Sequence, residues 1–214
     1  RMGKDKLLLP LGEGTVLEHT LRAVDASERT DEIILVTRED LLVPLAELCK
    51  GCALQKPVKV IRGGETRTES VMAGALEADP RAELIAVHDG ARPLITKELF
   101  DAVVESAGVT GASAPAGPVK DTIKTVAEDG AVTGTPDRST LRAVQTPQVF
   151  EADLLKAALQ SALENEVPVT DDCSAVERLG KVVYLIDGDE ENLKITTPVD
   201  LVIAEAILAE REGR

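Results

Sequence analysis

The stretch Leu84-Ile85-Ala86-Val87-His88-Asp89-Gly90-Ala91-Arg92-Pro93 decides the fold. Four apolar residues run without alternation, which marks a strand buried on both faces, and a polar, glycine-containing turn ends them. The pattern recurs upstream. Ile33-Ile34-Leu35-Val36-Thr37 follows a helical stretch in which Val16, Leu17, Leu21 and Val24 share one face behind a Thr15 cap. Val58-Lys59-Val60-Ile61 follows a second helical stretch through Leu41, Leu42, Leu45 and Leu48, and a third helix carries Val71, Ala73 and Leu76. Helices are likewise expected around Leu99 to Val104, Ala152 to Leu163, Asp172 to Leu179 and after Thr197-Pro198, with a last strand at Val182 to Ile186. Such alternation predicts an α/β fold: a Rossmann-like, mostly parallel sheet with helices on both faces.

The regularity breaks at Gly111 to Pro118, a stretch of Gly, Ala and Pro. Beyond it, Thr122 to Val126 and Ala131 to Thr133 flank Glu128-Asp129-Gly130, whose Asp-Gly pair signals a hairpin. Residues 119–145 therefore read as an arm projecting from a single domain that spans 1–214. Two strands bury little by themselves, so a second subunit is the expected cover and a homodimer the expected assembly.

Composition narrows the function. The chain has 214 residues, a formal charge of −14, two Phe, one Tyr and no Trp. An acidic chain without aromatic platforms is ill suited to nucleic acid. No apolar run reaches the ~18–20 residues that cross a bilayer, no charged-then-apolar leader opens the sequence, and a cytoplasmic protein is expected. Three cysteines are too few for a disulfide framework. The C-x-x-C spacing of Cys49 and Cys52 has no companion pair to complete a zinc site, so both are read as helix-end residues.

Chemistry is expected beyond the carboxyl ends of the strands. Three polar clusters fall there. Arg62-Gly63-Gly64-Glu65-Thr66-Arg67, with Ser70 following, offers backbone amides at a helix start. His88 to Pro93 places a carboxylate and a guanidinium in one turn, suited to Mg²⁺ or ribose and to phosphate respectively. His88 itself reads as a structural histidine. Asp189 to Thr196 sets Lys194 alone among acids, ahead of the last helix. Arg1, Lys4 and Lys6 add basic residues at the start. Cations gathered at strand ends of an acidic protein indicate a focused anion site.

These clusters, in this order, resemble the methylerythritol-phosphate cytidylyltransferases over essentially the whole chain. Further matching stretches are Val119-Lys120-Asp121-Thr122, Asp137-Arg138, Gln145-Thr146-Pro147-Gln148, Thr170-Asp171-Asp172 and Asn192-Leu193-Lys194-Ile195-Thr196. The resemblance implies transfer of CMP from CTP to a C5 polyol phosphate, with Mg²⁺ as cofactor. Arg1 looks like the arginine closing the family's triphosphate loop, and the strand and glycine-rich loop that open the family are expected ahead of it. Lys6 and Lys194 look like the lysines on the α-phosphate; Asp5 and Leu7 stand where the family often has Pro and Gln, which leaves Lys4 as a second candidate. Gly64, Glu65, Arg67 and Ser70 fall where the family recognises cytosine, with Gly90 nearby. Asp89 matches the acid near the ribose, the metal and the acceptor. Arg92 and Thr170 fall near the acceptor, and Thr122 and Arg138 match arm residues that reach the partner subunit's acceptor phosphate. Ribitol-5-phosphate cytidylyltransferase is the sister activity, and a non-catalytic nucleotide-binding protein the alternative of another class.

Overall fold

A computed structural model describes residues 5–213. The chain opens with β1 (Pro10–Leu11) and β2 (Gly14–Thr15), which form a small ribbon ahead of helix α1 (Val16–Asp25). The Thr15 hydroxyl accepts from Glu18 N while Glu18 accepts from Thr15 N, a reciprocal cap that fixes where α1 starts. Strand β3 (Ile33–Thr37), helix α2 (Leu42–Gly51), β4 (Val58–Arg62) and α3 (Arg67–Glu77) follow. Then come β5 (Leu84–Val87), α4 (Lys97–Thr110), β6 (Ala112–Pro118), β7 (Thr125–Val126), β8 (Val132–Gly134), β9 (Arg142–Val144) and β10 (Gln148–Glu151). Helices α5 (Ala152–Glu164) and α6 (Asp172–Arg178), strand β11 (Tyr184–Asp187) and helix α7 (Pro198–Glu212) complete the chain.

The α/β, Rossmann-like class holds, with strand directions more mixed than the alternation predicts. One sheet has the order β11-β6-β10-β5, with β9 also beside β6. There β6 and β11 run parallel, whereas β10 is antiparallel to both β5 and β6. The α4 crossover leaves one strand's width between β5 and β6. The chain fills that slot with β10 on its return from the arm, entering from the opposite end. Strands β3 and β4 form a separate parallel pair. Helix α3 packs on β3 and against α5, so it ties this pair to the larger sheet.

The break expected at Gly111 to Pro118 is corrected: this stretch is β6, buried from Ala112 to Ala116. Its small side chains hid it from a reading based on apolar bulk. They suit a strand paired on both edges with helices above and below, and Ala112 and Ala114 pack with Phe150, Leu155 and Val176. Pro115 has no amide hydrogen and sits where β6 changes partner from β10 to β9. The neighbouring β10 alternates cleanly. Phe150 enters the α5–α6 core, while Val149 enters the α4 core with Val103 and Ala107.

The arm is present as a short hairpin of β7 and β8, almost wholly exposed. Gly130 takes φ +86°, the left-handed turn position anticipated from Asp129-Gly130. The far end of the 119–145 stretch is not arm-like, because β9 joins the main sheet beside β6. Cys49 and Cys52 are free thiols at the end of α2, packed in the core of α1, β3 and β4, and burial raises the pKa of both. No helix among the described residues is long and apolar enough to cross a membrane.

Candidate active site

The site grows from the carboxyl end of β5. Asp89 leaves the strand with its carboxylate turned to two cations: Lys194 Nζ lies 2.8 Å from Oδ2, and Arg92 Nε lies 3.7 Å from the same oxygen. Burial alone would raise the Asp89 pKa. The Lys194 hydrogen bond and charge, with Arg92 behind them, outweigh it and hold the carboxyl below its ordinary range. Lys6 joins from the chain start, donating to the Ile195 carbonyl at 3.1 Å, one residue beyond Lys194. Lys6, Asp89, Arg92 and Lys194 are thereby brought together at this end of the sheet. Gly90 lies among them, its carbonyl accepting from Thr20 Oγ1. Arg1 and Lys4 lie outside the described residues.

A second wall comes from the β4–α3 turn. Glu69 reaches back so that one carboxylate oxygen accepts from Glu65 N at 2.7 Å and Thr66 N at 2.9 Å, and these amides hold its pKa down. The Ser70 hydroxyl donates to the Thr66 carbonyl at 2.9 Å. Both glycines are needed for this closeness. A Cβ on Gly64 would stand 2.3 Å from Glu69 Cβ, and one on Gly63 would stand 2.6 Å from Ser70 Oγ. Gly63, Gly64 and Ser70 border a cavity of about 300 Å³ with Leu7, Val36, Thr37 and Leu41. Leu7 also lies against Gly90, so this cavity adjoins the Asp89 turn. Glu69 was not singled out from the sequence, although its spacing from Thr66 is that of a capping box.

Arg67 behaves differently from its neighbours. It makes a two-bond fork with Asp172, Nη1 to Oδ1 at 2.9 Å and Nη2 to Oδ2 at 2.6 Å. Asp172 is 1% exposed, and burial raises its pKa although Arg67 opposes the shift. Gln148 steadies the same corner, accepting from Asp172 N and Cys173 N and donating to Asp171. Thr170, just before this helix start, is exposed and lines a separate cavity of about 390 Å³ with Pro168, Ser174, Glu177 and Arg178. Thr122 and Arg138 are exposed on the arm, and no hydrogen bond or ion pair joins them to Asp89 or Lys194 within the chain. Arg138 Nη1 donates to the Lys120 carbonyl at 2.6 Å, and Lys120 pairs with Glu190 at 2.6 Å, which ties the arm's base to the loop carrying Lys194.

That loop is anchored by residues the chemistry-based reading did not single out. Asn192 is fully buried, and its Nδ2 donates to the Thr146 carbonyl at 3.0 Å and to Gln145 Oε1 at 3.2 Å. Arg92 Nη1 donates to the Asn192 carbonyl at 2.5 Å. The Thr146 hydroxyl accepts from Asp89 N and faces His88 Nδ1, both at 3.0 Å. Burial lowers the His88 pKa to about 4, so the ring is neutral near pH 7. Its Nε2 faces the Arg92 carbonyl, which only accepts, so Nε2 carries the proton and Nδ1 accepts from Thr146. His88 is structural, as expected.

Comparison with known proteins identifies the family. Residues 1–210 match the family described as IspD, 2-C-methyl-D-erythritol 4-phosphate cytidylyltransferase. The enzyme of that name from Caldanaerobacter subterraneus subsp. tengcongensis is 44% identical over 215 residues, covering 97% of this chain and 93% of the relative. That from Parasynechococcus marenigrum is 45% identical, with 99% and 94% covered. The crystal structure of 4-diphosphocytidyl-2C-methyl-D-erythritol synthase from Anaerococcus prevotii superposes with a TM-score of 0.88 at 34% identity, covering 95% of this chain and 93% of that one. The Thermus thermophilus enzyme gives 0.79 at 33%, with 97% and 95% covered. With strand-end cations, a glycine-built cavity beside them and relatives of this name matched along nearly their whole length, the chain belongs to the 2-C-methyl-D-erythritol 4-phosphate cytidylyltransferase family of nucleotidyltransferases.

Proposed function

We propose that this protein transfers CMP from CTP to 2-C-methyl-D-erythritol 4-phosphate, giving 4-diphosphocytidyl-2-C-methyl-D-erythritol and pyrophosphate. The observation that carries the reading is the meeting of Asp89, Arg92, Lys194 and Lys6 at the carboxyl end of β5, beside the Gly63–Gly64 cavity. An oxygen of the acceptor phosphate attacks the α-phosphorus of CTP. The bond from that phosphorus to the bridging oxygen breaks, and pyrophosphate leaves with the electron pair. A phosphate monoester is already anionic at neutral pH, so the attack needs no strong base. The protein's contribution is alignment and compensation of charge at the α-phosphate, which Lys194 and Lys6 supply.

The Gly63–Gly64 turn presents backbone groups to the cytosine edge, with Glu65 and Ser70 at its rim. Arg67 frames that wall through Asp172. Arg92 and Thr170 face the acceptor, with Thr122 and Arg138 delivered to it by the arm of a second subunit in a homodimer. Arg1 takes the triphosphate.

The described residues contain no group of three or more metal-ligating side chains, and a cation here would be held by the Asp89 carboxylate. That donor set suits Mg²⁺, which keeps several waters and is commonly bound through one or two carboxylates and substrate phosphates. When bound, the ion neutralises triphosphate charge. The reaction belongs in the cytoplasm, with small water-soluble substrates.

The test is pyrophosphate release by purified protein with Mg²⁺, each of CTP, UTP, ATP and GTP, and either methylerythritol phosphate or ribitol 5-phosphate. CTP with methylerythritol phosphate should be strongly preferred, because a wrong base leaves buried polar groups unpaired. Equal turnover with UTP would overturn the cytosine assignment, and faster turnover of ribitol 5-phosphate the acceptor.

A further inference from the structure

We infer that Thr146 is a positioning residue for phosphoryl transfer: it fixes the Asp89–Lys194 pair from both sides at once. The inference rests on the reading of that pair given above. Asp89 and Lys194 sit on different loops, one after β5 and one between β11 and α7. Thr146, which lies between β9 and β10 and is 5% exposed, touches both. Its hydroxyl oxygen accepts from Asp89 N, and its carbonyl accepts from Asn192 Nδ2, two residues before Lys194.

The hydroxyl is also oriented. The Asp89 amide only donates, so the Thr146 oxygen gives it a lone pair and the hydroxyl proton is directed at His88 Nδ1, 3.0 Å away. His88 is held in turn by the Arg92 carbonyl, and Arg92 holds the Asn192 carbonyl. The hydrogen bonds close a ring: Asp89 N to the Thr146 hydroxyl, Asn192 Nδ2 to the Thr146 carbonyl, Arg92 Nη1 to the Asn192 carbonyl, and Arg92 N to the Asp89 carbonyl at 3.0 Å. The cycle crosses both loops carrying the reactive charges, while Thr146 has no charge and no polar contact in the cavity. Each member restricts the next, and a displacement of about 1 Å at such a site is worth as much as 10²-fold in rate.

The test uses Thr146→Val, which keeps the shape and loses the hydroxyl, and Thr146→Ser, which keeps the hydroxyl. Thr146→Ala replaces the valine variant if the latter does not fold. Each is measured alone and combined with Lys194→Ala. Thr146→Val should lower kcat roughly 10- to 100-fold, with the KM for CTP near its wild-type value, and Thr146→Ser should restore most of it. Added to Lys194→Ala, Thr146→Val should cost little further, because the hydroxyl keeps Asp89 in register with Lys194 and that register is already lost. Wild-type kcat in Thr146→Val beside a crippled Lys194→Ala overturns this role and leaves the reading of the pair standing. Losses that simply multiply, or a serine variant as poor as valine, also overturn it. A Lys194→Ala enzyme with wild-type kcat removes the reading of the pair and this role together.

Discussion

Lys194 reaches Asp89 at 2.8 Å from a loop on the far side of β11, so the two charges proposed to flank the reacting phosphorus are already in register. Replacing Lys194 by alanine should lower kcat by about 10²-fold or more, the scale of one preorganised transition-state donor. Steady-state kinetics close to wild type would remove Lys194 from the catalytic set.

Gly64→Ala should raise the KM for CTP with a smaller effect on kcat. The added Cβ collides with Glu69 Cβ, which is part of the α3 backbone frame and cannot swing away. Glu69 must then release the Glu65 and Thr66 amides, and the cavity wall opens. Glu69→Ala should reproduce the binding defect without the clash. A nucleotide titration that gives wild-type affinity in both variants would show that the turn does not face the base.

Arg67→Ala should destabilise the protein more at pH 7.5 than at pH 5. Burial already raises the Asp172 pKa, and Arg67 is what opposes it. Without Arg67 the folded carboxyl keeps its proton to higher pH than the unfolded one. Above the ordinary pKa of 3.8 the unfolded state therefore binds fewer protons, and stability falls as pH rises. The loss should stay below the ~3–5 kcal/mol of a fully buried broken pair, because the guanidinium retains access to solvent. Urea midpoints at the two pH values measure it, and a pH-independent loss contradicts it.

His88 gives the opposite slope. Its folded pKa of about 4 lies below the ordinary 6.5, so between these values the unfolded state binds the extra proton. Stability should fall as pH drops through that window, by roughly 3 kcal/mol in all at 1.36 kcal/mol per unit. His88→Gln, which offers both a donor and an acceptor, should flatten the curve between pH 6.5 and 4.5. An unchanged curve would mean that the imidazole titrates alike in the folded and unfolded chain.

Arg138→Ala and Lys194→Ala should each be inactive alone and should complement one another after subunit exchange. In a hybrid dimer the Arg138→Ala subunit keeps its own Lys194 and receives an intact arm. Random exchange then restores roughly a quarter of the sites. Hybrid dimers seen by native mass spectrometry without recovered activity would refute a shared site.

Much of this was legible from the amino-acid order because buried strands and strand-end turns carry strong local signals. Leu84 to Val87 and Ile33 to Thr37 are apolar runs, and the Asp129-Gly130 turn announces its own backbone. What escaped had no such signal. Strand β6 is built of small residues and proline, with Ala112 to Ala116 packed tightly between its neighbours, so its most buried residues look like a loop. The Arg67–Asp172 fork joins helices far apart in the chain, and neither residue type declares its partner. Thr146 and Asn192 act through hydrogen bonds to backbone groups, and such bonds leave no spacing to read.

The pairing of Asp89 with two cations also bears on ionic selectivity. At rest the Asp89 carboxylate offsets one of the two charges of Lys194 and Arg92, so the pocket is less positive than its cations alone would make it, within a chain of charge −14. A stray inorganic anion has to displace a carboxylate of comparable strength and gains little by the exchange. A nucleoside triphosphate brings a base for the glycine-built cavity as well as its phosphates, and only such a ligand recovers more contacts than it disrupts. Sulfate or phosphate at millimolar concentration should accordingly be a poor inhibitor, and the basic cluster works as a filter for ligands that bind at two places at once.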